Sequence, residues 1–284
     1  MDIGTGLAII GGRELIVKIL GPTADYIGNE TKNLVEKSHE NIKQIFINAE
    51  KFLGPKIDSP GKVSPRVLKH IINEGAFCDE ELTREYFGGV LASSRNNDLR
   101  DDRGLTFISL IESMSSYQIR THYIFYTIVK ELFDGKNLKL GKGTERKKMQ
   151  VFLPFDLYVH SMDVPREYLL EILLPHILWG LSRLDLISNF ASGSGDSVKK
   201  HYQEANTPGI IFTPTVFGIE FYMWAHGYSD TPRNKFLDKN TQFIKSKILD
   251  IPKGAVSTEI ETYKQHSKQI SPKSRYPIRK SQRK

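Results

Sequence analysis

The sequence predicts a mainly α-helical protein: an N-terminal helical bundle followed by a smaller helix-plus-hairpin, winged-helix-like α+β unit. Three observations lead there. Apolar residues recur at three- and four-residue spacing through most of residues 1–134. Glycine and proline punctuate that pattern at Gly21-Pro22, Gly54-Pro55 and Pro60-Gly61. Short apolar runs bounded by turn residues appear only after a basic, glycine-containing stretch at residues 135–148. The expected organisation is a helical domain over 1–134, a linker over 135–148, a winged-helix-like domain over 149–249 and a disordered basic tail over 250–284.

In the first half, Leu15, Ile16, Ile19 and Leu20 form a helical stripe that stops at Gly21-Pro22. Pro22 opens a longer helix, which runs from Thr23 through Ala24, Ile27, Leu34, Val35, Ile42, Ile45, Phe46 and Ala49 and ends near Leu53-Gly54-Pro55. Pro65 suits a first helical turn, with Val67, Leu68, Ile71 and Ile72 on one face. Glu80 and Glu81 suit the start of the next helix, which carries Leu82, Tyr86, Phe87, Val90 and Leu91. Gly88-Gly89 in its middle costs about 1 kcal/mol per glycine relative to alanine, so close packing against a neighbour is expected. After a charged loop the pattern resumes at Leu105, Ile108, Leu110 and Ile111, and Ser115-Ser116 marks a break and a new N-cap for an aromatic-rich helix over Tyr117–Leu132.

In the second half, Phe152 to His160 is expected to be a strand or an irregular segment. Pro165 opens a helix running through Tyr168, Leu169, Ile172, Leu173, Ile177, Leu178, Leu181 and Leu184, with Pro175 as a kink or break. Ser192 to Asp196 (SGSGD) reads as a hairpin turn, Ile210 to Thr213 as a strand, and Thr215 to Trp224 as a helix. Past Ala255, apolar residues are sparse and Pro272 and Pro277 interrupt, so burial cannot offset the ordering entropy there.

Composition excludes several classes. One cysteine, Cys78, among 284 residues cannot form an internal disulfide, so a reducing, cytoplasmic compartment is expected. No apolar run approaches the roughly 18 residues of a spanning helix, and the N-terminus lacks a signal-peptide order. Ile3 to Gly12 is small and apolar, allowing peripheral contact with a membrane or a partner's groove, although its glycines favour packing against the protein itself. The net charge of +7 is concentrated at one end. From Asp250 onward nine Lys/Arg face three acids, leaving the remaining body near balance at 31 basic and 30 acidic residues. Within this tail, Lys273, Arg275, Arg279, Lys280, Arg283 and Lys284 are candidate contacts to nucleic acid or an anionic surface.

Catalytic constellations are missing. Five residues separate Gly135 from Gly141 and Lys142 is followed by Gly143, which breaks the P-loop spacing. Gly141 and Gly143 lack the third glycine of a dinucleotide fingerprint. There is no Gly-x-Ser-x-Gly elbow. The eight histidines lack the i, i+4 or cysteine pairing of a zinc site, so neither metal nor cofactor is expected. Acidic neighbours of Cys78 disfavour its thiolate. Arg120 and His122 are only two residues apart and point in different directions on a helix, unlike the wider Arg–His spacing of all-helical toxin ribonucleases. No catalytic residue is assigned.

What stands out is the density of charge at Arg95, Asp98, Arg100, Asp101, Asp102 and Arg103, with Arg120 and His122 close behind. Such a cluster either holds a phosphate, nucleotide or acidic peptide through bidentate bonds, or locks a loop across two helix ends. Its balanced charge favours the lock.

The segments LGPTADYIGNE (Leu20 to Glu30), VSPRVLKHI (Val63 to Ile71), EELTREYFGGVLASS (Glu80 to Ser94), DDRG (Asp101 to Gly104) and MSSYQIRTHY (Met114 to Tyr123), in this order, resemble the Abi-alpha (abortive infection alpha) family. LSRLDLI (Leu181 to Ile187) and FTPTVFGIEF (Phe212 to Phe221) resemble the C-terminal part of that family. The resemblance spans roughly residues 20–226 and implies a bacterial anti-phage defence role with no catalytic signature. The leading expectation is a defence factor acting through a phage or host protein, with the Arg/Asp loop as its recognition or switching surface. Nucleic-acid binding by the winged-helix-like half and basic tail is the first alternative, and membrane engagement through Ile3 to Gly12 the second.

Overall fold

A computed structural model of the chain describes Lys18, residues 31–97 and residues 100–259. The expected Leu15–Leu20 helix apart from Lys18, the expected start of the longer helix before Thr31, the Ile3 to Gly12 segment, Asp98 and the six candidate tail contacts lie outside the described residues. The fold is mainly helical, with one small four-stranded antiparallel sheet.

Among the described residues from Thr31 on, five α-helices come first: α1 Thr31–Leu53, α2 Pro65–Gly75, α3 Glu81–Ser93, α4 Gly104–Ser113 and α5 Ser116–Phe133. Helix α1 ends where Gly54 takes a left-handed φ of 50° just before Pro55. Pro65 occupies the first turn of α2, whose buried stripe is Val67, Leu68, Ile71 and Ile72. Ser115 caps α5 through a capping box: its Oγ accepts from the Gln118 amide at 3.3 Å, and Gln118 Oε1 accepts from the Ser115 amide at 2.9 Å.

The Gly88-Gly89 pair has its close neighbours on two sides. A Cβ on Gly88 would lie 2.5 Å from Asn48 Cβ on α1, and one on Gly89 would lie 1.8 Å from the carbonyl oxygen of Ala225. Helix α3 is therefore held between α1 and the chain at Ala225, closer than any residue with a side chain allows.

A short helix α6, Gly143–Lys147, forms within the expected linker, where Leu140 is buried, as is Met149 just beyond it. Strand β1, Val151–Pro154, leads directly into α7, Phe155–Met162. The expected strand or irregular run from Phe152 to His160 is thus helical from Phe155 onward. Phe155, Tyr158 and Met162 recur at helical spacing and are buried, whereas Pro154 has no amide to continue a ladder. A helical rod, α8, covers residues 166–183 in three pieces: α-helix Arg166–Tyr168, a π turn Leu169–Leu173, and α-helix Leu174–Arg183. Pro175, expected to kink or break it, is accommodated by the π turn, in which the Leu174 amide reaches back to the Leu169 carbonyl.

Strand β2, Ile187–Gly193, follows, then the short α9, Gly195–Lys199, strand β3, Gly209–Pro214, and α10, Val216–Trp224. The expected SGSGD hairpin turn is instead the end of β2 and the start of α9. The sheet order is β2-β3-β1-β4, where β4 is Val256–Ser257. Register is set by Ile187 opposite Pro214, Val151 opposite Phe212 and Val151 opposite Ser257, with a bulge in β2 between Ser188 and Ala191. Residues 250–259, expected in the disordered tail, are corrected by this strand. Val256 and Ser257 pair with Phe152 and Val151, and the Thr258 amide donates to the Gln150 carbonyl at 3.1 Å. Ladder bonds to an open strand edge add here to the few apolar contacts the segment makes, through Ile251, Ala255 and Val256.

One continuous apolar cluster runs from Ile42 on α1 to Ala255. Helix α5 lies at its centre: every residue from Thr121 to Val129 is buried. Phe125 stacks on Phe212 of β3 at 3.8 Å between ring centroids.

Gly89→Ala is expected to destabilise the protein by about 3 kcal/mol, since the clash is with backbone rather than a movable side chain. Gly141→Ala, with nothing near its Cβ position, should stay within about 0.5 kcal/mol. Urea unfolding of the two variants checks the contrast.

Candidate functional site

Of the described arginines and aspartates expected to form a site, Arg95, Asp101, Asp102 and Arg103 bond to other groups of the protein itself. Arg95 is a strap. Its Nε donates to the Lys18 carbonyl at 3.0 Å, Nη1 to Lys56 at 3.1 Å, and Nη2 to Ile57 at 3.2 Å and Ser59 at 2.5 Å. Asp101 accepts a fork from Arg103, Nε to Oδ1 at 2.9 Å and Nη2 to Oδ2 at 2.7 Å, and takes a further bond from Asn96 Nδ2 at 3.1 Å. These bonds from Arg103 hold the Asp101 carboxyl below its ordinary range and raise Arg103 above its own. The Arg103 guanidinium also lies 5.4 Å from the Trp224 ring centre. Asp102 pairs with Arg66 on α2 at 2.5 Å. Arg100 is exposed and has an interaction partner of its own. A two-way bridge between Lys62 and Asn96 ties down the loop's start, at 2.8 and 3.0 Å.

Arg120 and His122 are not brought to this loop. Arg120 Nε donates to the Ser161 carbonyl at the end of α7, 3.1 Å away. His122 is fully buried on α5. Its Nε2 is 3.2 Å from the Gly218 carbonyl, which can only accept, so the ring proton sits on Nε2 and the Tyr86 hydroxyl donates to Nδ1 at 2.8 Å. Burial disfavours the imidazolium and pulls the His122 pKa down to about 3. His226, four-fifths of the way along the chain, lies over Tyr222 at 4.1 Å between ring centres, and burial pulls it down to about 4. Its Nδ1 donates to the Tyr222 carbonyl at 2.7 Å.

Around these histidines runs a buried network that sequence spacing does not reveal. The Tyr126 hydroxyl donates to the Leu186 carbonyl at 2.5 Å and accepts from the Thr215 amide at 3.1 Å. The Tyr222 and Thr127 hydroxyls are 3.0 Å apart, and Tyr123 accepts from the Ser246 amide at 2.7 Å. Gly218 is required here because a Cβ would fall 1.9 Å from the Tyr126 hydroxyl. The sequence signal was limited to the aromatic density of α5 and the polar residues within it. Its partners lie on α3, α10 and the 241–249 segment, which are distant in the chain. These hydroxyls are desolvated and titrate above the ordinary tyrosine range at Tyr86, Tyr126 and Tyr222. A neutral histidine bonded on both sides within this interior has a structural role.

Burial pushes the Cys78 thiol up to about 11, with the Asp79 charge only a small contributor. The acidic neighbours singled out in the sequence are therefore the lesser cause. Among the described residues, no group of three or more His, Cys, Asp or Glu side chains converges to hold a metal ion, and no helix is long and apolar enough to cross a membrane.

Three surface features remain. A hollow of about 310 Å³ beside Trp224 is lined by Glu220, Tyr228, Asp230 and Arg233 among others. A larger one of about 660 Å³, between the 135–141 loop and the 3-10 turn Arg233–Leu237, is edged by Lys136, Lys139, Lys235 and Lys239. The third is the outer face of α8, where Tyr168, Ile172 and Trp179 are 45%, 59% and 68% exposed. The opposite face of the same rod buries Leu169, Leu173, Leu174, Ile177, Leu178 and Leu181. Phe190 of β2 meets the Trp179 ring edge-on at 5.0 Å and widens the apolar surface. No protein-family model, curated protein or solved structure matches the chain.

Lowering pH is expected to destabilise the fold through the buried histidines. The unfolded chain takes up each proton near the ordinary 6.5, whereas folded His122 resists it down to about 3. The contribution is therefore full above that window and is lost as pH falls through it, by about 1.4 kcal/mol per pH unit for one such group. Urea midpoints measured between neutral and mildly acidic pH should fall less steeply for His122→Gln than for the unmodified protein.

Proposed function

We propose that this protein is an anti-phage defence factor of the abortive-infection type, acting in the bacterial cytoplasm by association with protein. The process is supported by the ordered motifs from Leu20 to Phe221 that resemble the Abi-alpha family. The mode of action rests on one observation: an apolar stripe on α8 is exposed, while the buried polar side chains Thr121, His122, Tyr126 and Thr127 of α5 are paired within the protein. Contiguous exposed apolar surface of this kind marks interaction sites on monomeric proteins. The interaction surface is accordingly placed on α8 rather than on the Arg/Asp loop, whose described carboxylates Asp101 and Asp102 have arginine partners within the molecule.

We read the architecture as an N-terminal helical bundle, α1 to α5, followed by a winged-helix-like unit. The support is topological. Two helical segments separate β1 from β2, and β2 and β3 pair antiparallel with α9 in their connection. The strand order β2-β3-β1 also places the first strand beside the last of the three. In this reading α8 stands in the position of a recognition helix. Yet its outer face carries Glu167 and Glu171 beside Tyr168, Ile172 and Trp179, which is unsuited to a phosphate backbone and suited to protein.

A second reading, nucleic-acid binding, is favoured by the lysine-edged hollow. Lys136, Lys139 and Lys239 make no ion pair with a described residue. If it holds, Lys136→Glu with Lys139→Glu should weaken binding to duplex DNA and flatten its salt dependence. Binding that ignores these substitutions would sink it.

The leading reading predicts that Ile172→Glu with Trp179→Glu abolishes protection in a plaque assay while expression and far-UV circular dichroism stay unchanged, because both side chains are already in water. Full protection by that variant would refute the assignment of the surface.

A further inference from the structure

We infer that the occupant of the α8 face is a second copy of this chain, docked antiparallel about a twofold axis near Pro175. This rests on reading that face as an interface, as above, and names the partner. The argument starts from charge. Glu167 and Glu171 lie at the N-terminal end of the exposed face and Arg183 at its C-terminal end, and none of the three has an ion pair with a described residue. Arg166 and Glu220, by contrast, are paired, with Asp156 and Arg233 respectively. The signs at the two ends suit the helix dipole, but that does not account for the apolar stripe between them.

Antiparallel self-pairing accounts for both. At 1.5 Å per residue, Glu167 and Arg183 each lie about 12 Å from Pro175, on opposite sides. A twofold axis there sets Glu167 of one copy against Arg183 of the other, twice. It also sets Tyr168 opposite Ser182 and brings Ile172 within one residue of the position facing Trp179, as an isologous interface requires. Parallel docking would set like charges together. Pro175, exposed at the centre and without an amide, adds no polar group to be desolvated at the closest approach. Phe190, packed on the Trp179 edge, extends the contact onto the outer strand of the sheet.

Size sets the expected strength. A face about 27 Å long and 10 Å wide, enlarged by Phe190, is smaller than the roughly 800 Å² per partner of a standard interface. The dimer should therefore be in equilibrium with monomer in the micromolar range.

The test is sedimentation equilibrium of the full chain across that range. A concentration-dependent monomer–dimer equilibrium is expected, and Trp179→Glu should hold the protein monomeric with its circular dichroism unchanged. Glu167→Arg and Arg183→Glu should each weaken dimerisation by about tenfold or more, and the two together should restore it, because each salt link is then reversed rather than broken. A chain that stays monomeric throughout would overturn the inference. So would a dimer indifferent to Trp179→Glu, and a double reversal that fails to restore pairing would overturn the antiparallel geometry. Plaque assays on the same variants separate the two readings. Loss of the dimer with protection intact leaves the interface standing and removes its functional role. Loss of protection by Trp179→Glu in a chain that is monomeric from the outset points to a different protein on the same face and rejects self-association.

Discussion

Everything in this fold depends on the enclosure of α5. A helix buried from Thr121 to Val129 cannot leave its polar side chains to water, so each needs a partner supplied by another element. Thr121 meets Tyr158 of α7 at 2.7 Å, His122 meets Tyr86 of α3 and the Gly218 carbonyl of α10, and Tyr123 meets the Ser246 amide. Tyr126 meets the Leu186 carbonyl and the Thr215 amide, and Thr127 meets Tyr222. A single bond of this kind contributes about 1 kcal/mol net, but a buried group left without its partner costs about 1–3 kcal/mol. The network therefore acts chiefly by selecting one arrangement of neighbours. It fixes the orientation of α3, α7, α10 and the β2 entry around one rod.

That enclosure also shapes where function resides. With the interior filled by aromatic rings and paired polar groups, there is no buried polar centre open to a substrate among the described residues. The Arg/Asp loop is drawn into the same economy of pairing: Arg95 ties it to the turn after α1, Asp102 to α2, and Arg103 to the Trp224 ring. What is left unpartnered is surface, and among the described residues α8 carries three of the exposed large apolar side chains, Tyr168, Ile172 and Trp179. That rod is two-faced for a physical reason. Its inner leucines pack against the core while Tyr168, Ile172 and Trp179 project outward, and the π turn before Pro175 lets both stripes continue along its length.

The helices of the first half were readable because each carried a periodic apolar face and a stop signal, as at Pro65 and Leu53-Gly54. The close packing expected at Gly88-Gly89 is present, but its partners, Asn48 and Ala225, lie far away in sequence. Three local readings changed. Phe155–Met162 is a helix because its apolar spacing is helical once Pro154 ends the strand. Gly195–Lys199 is a short helix rather than a hairpin turn, since the Ser194 carbonyl accepts from the Ser197 and Val198 amides. Val256–Ser257 is a strand because β1 offers an open edge, a feature no property of the segment itself announces. Among the site residues, balanced charge favoured internal pairing of the loop over ligand binding, but which groups pair, Asp101 with Arg103 and Asp102 with Arg66, is visible only in the structure. The partners of Arg95 were not legible either, because they are backbone carbonyls and carry no sequence signature.

The sequence by itself determined the helical class, most helix boundaries, the solitary cysteine and the concentration of basic charge beyond residue 250, since these follow from local periodicity, capping chemistry and composition. Only the tertiary structure decided that His122 is neutral and bonded on both sides, that the Arg/Asp loop is locked from within, and that one face of α8 stays open to solvent. Those outcomes depend on which distant groups arrive at a given point, and burial converts that arrival into charge state, hydrogen bonding and exposure.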